Sequence, residues 1–188
     1  MSDEAFSLLR DLLRITSALL LAPPTAALVE ALTDPEVRAV VDATVGSGAL
    51  HTLDGVTFSD GLRDEFFALL AVPGARYVAP FESVWCDVRE VDGVRVAGLL
   101  GGPSAGAVAR VYARHGYALT LREQPDHLGC ELAFLATLEE RAAAAAFARE
   151  HPGRFVGRVA KRVGGDGEAR FYAAVLSLAA ALVARVAG

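Results

Sequence analysis

The amino-acid sequence predicts an all-α protein, a single-domain helical bundle over residues 1–188. Three observations predict it. Hydrophobic residues make up 53% of the chain, much of it alanine and leucine, and β-branched runs are short. Apolar residues recur at three- and four-residue steps in segment after segment, while no alternating strand pattern recurs. Those segments are bounded by Ser, Asp, Pro and Gly where helices start and stop. At 188 residues the chain is long enough to build its own core.

Residues 4–21 read as a helix with Phe6, Leu9, Leu13 and Leu20 along one stripe and Leu8, Ile15 and Leu19 opposite. Two apolar stripes mean burial on more than one side. Ala22-Pro23-Pro24 ends that helix, and the next runs to about Leu32. Thr33-Asp34-Pro35-Glu36 is a strong start signal, with Asp34 as cap and Pro35 in the first helical position. That third helix fades around Gly46 to Gly48. Ser59 then caps a helix carrying Leu62, Phe66, Leu69 and Leu70, closed by Val72-Pro73-Gly74.

A loop follows to about Ser83, then a short turn through Trp85. Val88 to Val96 holds an Asp92-Gly93 pair that could turn a two-stranded ribbon, but inside a helical domain it reads as a loop excursion. Gly98 to Gly106 is glycine-rich without the Gly-Lys-Ser/Thr ending of a phosphate loop, so it reads as a connector. Pro103-Ser104 opens a helix to Gly116. Further helices run from Asp126, from Glu139 to about His151, and from Asp166 to the end, the last burying Phe171, Val175, Leu178 and Leu182. Arg154, Arg158 and Arg162 recur every four residues with Lys161 beside them: either a solvated face or a contact for an acidic partner surface or a phosphate.

Composition excludes several functions. The formal charge of −5 argues against coating nucleic acid. Two cysteines, Cys86 and Cys130, give neither a disulfide framework nor zinc spacing and suit a reducing compartment. Met1-Ser2-Asp3-Glu4 is acidic where a signal peptide would be basic, no Arg-Arg pair is present, and Leu19-Leu20-Leu21 is too short to span a membrane. A cytoplasmic protein without stable membrane insertion, monomer or dimer, is expected. No cofactor and no metal are expected: His127 and Glu131 would supply two ligands and nothing completes a set.

The chemistry-bearing stretch runs from Arg122 to Leu138. Asp126 is a natural N-cap for the helix that follows. Leu128, Leu132 and Leu135 share one face, and Glu131 falls inside that apolar arc with His127 one turn before it. A carboxylate there is costly unless paired or protonated. Two readings stand. Glu131 and His127 pair with each other or with a buried Tyr or Arg, or Asp126 and His127 stand at the mouth of a ligand groove. Tyr77, Phe81 and Trp85, around a proline, are either anchors for an apolar peptide or filling beneath a loop.

Pro125-Asp126-His127-Leu128-Gly129-x-Glu131-Leu132-x-Phe134-Leu135 resembles the signature of the TorD/DmsD/NarJ family of molybdoenzyme maturation chaperones. Ala79-Pro80-Phe81-Glu82-Ser83-Val84-Trp85 resembles that family's other motif, and Val108 to Tyr117 lies between them as in the family. The match spans about Phe66 to Tyr172, with Gln124 where the family usually has proline and no Trp near Phe155. The resemblance implies an all-α chaperone of the TorD/DmsD type, not an enzyme. Such a protein binds the twin-arginine leader of a molybdopterin oxidoreductase subunit, and often its mature body, until cofactor insertion. The peptide-binding residues it implies are Phe81, Glu82, Ser83, Trp85, Glu123, Pro125, Asp126, His127 and Glu131, with Glu82, Glu123 and Asp126 as carboxylates for the arginine pair. The alternatives are a helical ligand-binding or sensor domain using an Asp126–Glu131 cleft, and a small acid–base enzyme using Glu131 and His127.

Overall fold

The C-terminal helix forms the axis of the fold, and helices from early and late in the chain pack round it. A computed structural model describes residues 2–46, 48–50, 53–120 and 123–188; Arg122, which opens the stretch singled out above, lies outside them. In chain order the elements are α1 (Asp3–Leu21), α2 (Ala26–Thr33), α3 (Pro35–Val45), α4 (Asp60–Phe66), α5 (Glu82–Cys86), β1 (Val88–Val91), β2 (Val94–Ala97), α6 (Pro103–Arg114), α7 (Leu128–Leu135), α8 (Arg141–Glu150), α9 (Val156–Gly164) and α10 (Arg170–Ala187). A π turn, Phe67–Ala71, extends α4, and a 3-10 turn, Pro152–Arg154, joins α8 to α9.

The fold is all-α apart from β1 and β2. Start signals work largely as read: the Asp34 carboxylate accepts from the N–H groups of Glu36 and Val37, with Pro35 in the first turn. Ser59 precedes α4 but makes no side-chain cap bond. Residues 88–97, read as a loop excursion, form an antiparallel ribbon with Val88 opposite Ala97 and Val91 opposite Val94. Its turn places Asp92 at φ 51° and Gly93 at φ 77°, the left-handed pair that a two-residue hairpin demands, so the local turn signal overrode the helical surroundings.

One continuous apolar core runs from Phe6 to Val186. Helix α10 is long and apolar enough to cross a membrane, with a mean hydropathy of 1.6. Its Phe171, Tyr172, Val175, Leu178 and Leu182 are buried against α1, α8 and α9, as in the core helix of a globular protein. Helix α7 is the other central element. It is buried along nearly its whole length and lies against α1. The Ser17 hydroxyl donates to the Gly129 carbonyl at 2.7 Å, and a Cβ on Gly129 would come within 2.6 Å of Leu21 Cγ, so glycine sets how closely the two helices approach. At the other end of α7, Arg10 Nε and an Arg14 guanidinium nitrogen donate to the Ala136 carbonyl at 2.9 and 3.3 Å, closing that terminus with positive charge.

Candidate functional site

The two sequence motifs meet. Leu128 N–H donates to the Pro80 carbonyl at 2.7 Å and Glu82 N–H to the Asp126 carbonyl at 2.9 Å, making an antiparallel bridge between Phe81 and His127. Their rings meet edge to face at 5.1 Å. This pairing holds His127 extended after a turn through Pro125 and Asp126, so α7 starts later than its sequence signal predicts. Asp126 does not cap α7. Its Oδ2 accepts from Ser83 N–H at 2.8 Å and caps α5 instead, while His127 Nδ1 accepts from Gly129 N–H at 3.0 Å and caps α7. An accepting Nδ1 requires an unprotonated nitrogen there, and burial lowers the His127 pKa to about 4, which keeps it so.

Beneath the bridge sits a junction of carboxyl groups. Glu82 is fully buried; its Oε2 lies 3.0 Å from His151 Nδ1 and its Oε1 accepts from Arg154 at 2.5 Å. The Arg154 side chain is 46% exposed, so its guanidinium stoppers the junction from the solvent side. Glu131 is fully buried, and neither of its oxygens has a hydrogen-bond partner, so it pairs neither with His127 nor with a buried Tyr or Arg, the partners the sequence left open. Burial, followed by the negative charges of Glu82 and Asp126, pushes its pKa well above the carboxylate range. Burial therefore favours the protonated form of Glu131, the form for which a place in an apolar arc costs least. Asp126 Oδ1 and Ser83 Oγ are also buried without a partner, so the junction is polar and incompletely bonded.

The rim differs from the interior. Tyr112, buried among Tyr117, Phe134 and Phe147, donates its hydroxyl to the Pro125 carbonyl at 2.9 Å and pins the entry to α7. Half-buried Glu123 lies close enough to raise the pKa of Tyr77, after burial itself, and that of Cys130, which burial takes to about 12. Trp85, also half-buried, donates its indole N–H to the Ala79 carbonyl at 2.7 Å. Arg158 stands over its ring at 5.6 Å and donates to the Trp85 carbonyl at 2.8 Å and to Cys86 Sγ at 3.2 Å.

Of the nine residues expected to bind peptide, Phe81, Glu82, Ser83, Asp126, His127 and Glu131 are buried. Trp85, Glu123 and Pro125 remain partly accessible. The groove expected to open between Asp126 and Glu131 is closed, because the bridge to Phe81 covers its mouth. An open hollow of about 570 Å³ lies on the other side of Trp85, floored by Leu69, Val78 and Val163 and edged by Arg158, Lys161 and Arg162. Sequence reasoning missed His151 and Arg76. His151 meets Glu82 across 69 residues with no spacing to signal it, and Arg76, paired with Asp166 at 2.7 Å and Glu168 at 3.6 Å, stands alone in its segment. Among the described residues no group of His, Cys, Asp and Glu is placed to hold a metal ion.

Residues 36–161, about two thirds of the chain, match the nitrate reductase delta subunit family. The chain belongs to that family, whose members are maturation chaperones for molybdenum-containing oxidoreductases, bind their catalytic subunits and are not themselves catalysts. The matched region contains both motifs and the bridge between them, and leaves α1, α2 and α10 outside. No curated protein matches the chain.

Proposed function

We propose that this chain is a single-domain cytoplasmic chaperone that binds the twin-arginine leader of a molybdopterin oxidoreductase catalytic subunit, delaying export until the cofactor is inserted. The observation that carries the reading is the bridge between Phe81 and His127, which makes one rigid unit of the two motifs and leaves Trp85, Glu123 and Pro125 accessible round it. Glu123 is the carboxylate best exposed to receive a guanidinium: Glu82 and Asp126 are fully buried, whereas Glu123 is partly accessible, with Oε1 accepting from Gln124 N–H at 3.0 Å. The buried members, Phe81, Glu82, Ser83, Asp126, His127 and Glu131, hold that surface in shape.

Calorimetric titration with synthetic leaders from the host's molybdoenzymes tests this, alongside leaders with both arginines changed to lysine. Saturable binding that weakens with the lysine leaders and with Glu123→Gln protein is expected. A folded protein that binds no leader or binds arginine and lysine leaders alike, or a Glu123→Gln protein that keeps the full preference for arginine leaders, overturns it.

A further inference from the structure

The hollow beside Trp85 bears the wrong charge for an arginine pair. Arg76, Arg158, Lys161 and Arg162 line it against Asp166 alone. Two of those cations are occupied: Arg76 by Asp166 and Glu168, Arg158 by Trp85 and Cys86. Lys161 and Arg162 are exposed and, among the described residues, have no hydrogen-bond or ion-pair partner. They are two uncommitted positive charges on a chain whose net charge is −5.

The hollow does not stop there. Ala75 and Arg76 also line a second one, of about 470 Å³, walled by Phe67, Val72 and Pro73. Phe67 is 40% exposed and Val72 55% exposed, at the two ends of the π turn, where an extra residue in the helical turn bulges the backbone outward. The two hollows adjoin at Ala75 and Arg76 and are read together as one groove, apolar at the π turn apart from Asp64 at its far edge and basic at the end of α9.

We infer that this groove docks an extended acidic segment of a partner protein, with carboxylates on Lys161 and Arg162 and apolar side chains against Phe67 and Val72. Charge complementarity selects the sign of the occupant, and the apolar half selects a peptide. A free phosphate would meet the cations and leave Phe67 and Val72 in water. A nucleic acid would need basic surface well beyond the groove, which the overall negative charge denies it. The groove shares Trp85 with the leader surface, but Lys161, Arg162, Phe67 and Val72 lie outside that surface, so the inference does not rest on the leader assignment.

The test is fluorescence anisotropy on the full chain with a labelled peptide alternating Asp or Glu with Leu or Phe, and with the same peptide carrying Asn and Gln in place of the acids. Saturable binding by the acidic peptide alone is expected, weakening as salt rises. It should fall about tenfold or more in the Lys161→Glu/Arg162→Glu protein and in Val72→Ser, with circular dichroism unchanged. These residues are exposed, so folding survives the substitutions. No binding, equal binding by the charge-reversed protein, or displacement of the peptide by inorganic pyrophosphate or a thymidine oligonucleotide at matched concentration overturns the inference.

Discussion

The junction round Glu82 and the groove beside Lys161 flank the same short helix, α5, and use charge in opposite ways. In the junction, three carboxyl groups are buried with one half-exposed guanidinium and the His151 imidazole, and burial shifts one of the three, Glu131, toward its protonated form. In the groove, two cations are exposed and, among the described residues, unpaired. Buried charge is expensive unless bonded, so it fixes a conformation; exposed charge costs little and remains available to a partner. The arginine stripe that runs from the 3-10 turn into α9 is divided between the two. Arg154 belongs to the junction, Arg162 to the groove, and Arg158 clamps the helix between them.

Substitutions separate the two regions. The largest effect is expected for Asp126→Ala, which uncaps α5 and orphans Ser83 N–H: about 1–3 kcal/mol of stability, read as a melting temperature several degrees lower. Arg154→Ala removes the stopper from Glu82, and because that guanidinium is half solvated the loss should be smaller, about 1 kcal/mol by denaturant titration. Lys161→Glu/Arg162→Glu should change stability by no more than about 0.5 kcal/mol, and a larger loss would show that the groove cations hold the fold.

Two further substitutions sharpen the comparison through pH. Glu131 has a pKa raised by folding, so the folded chain keeps a proton that the unfolded chain releases above about 4.5. Its contribution is greatest below that value and is lost as pH rises toward the folded value. Glu131→Gln should therefore flatten the fall in stability above pH 4.5 and make the variant relatively more stable at neutral and alkaline pH. His127 has the opposite sign. Its folded pKa of about 4 lies below the ordinary 6.5, so stability present above 6.5 is lost as pH falls toward 4. His127→Asn keeps a capping acceptor and should remove that acid sensitivity, measured by thermal melts across the window.

Much of the fold was legible because helix signals are local: Asp34-Pro35, the proline stops and the apolar periodicity of α1 and α10 need nothing beyond a few neighbours. The site was legible only in part. The motifs marked the residues that meet, and the apolar arc correctly marked Glu131 as a carboxyl in difficulty. What the meeting does was not readable, because Asp126 chooses between two helix starts and Glu82 finds His151 and Arg154 only through tertiary contact. The ribbon at Asp92-Gly93 shows the converse error, a local signal set aside in favour of the fold class.

Helix α1 has a place in time as well as in space. Its hydroxyl and guanidinium contacts to α7 reach across 112 and 126 residues, from Ser17 to Gly129 and from Arg10 to Ala136. At ordinary rates of translation, α1 leaves the ribosome roughly 5–25 seconds before its partner is made. Throughout that interval Leu9, Leu13 and Leu20 lack the surfaces of α7 and α10 that complete their burial, with α3 the early-made helix that touches α1. A protein that shelters unfinished enzymes is thus, during its own birth, a client in need of shelter.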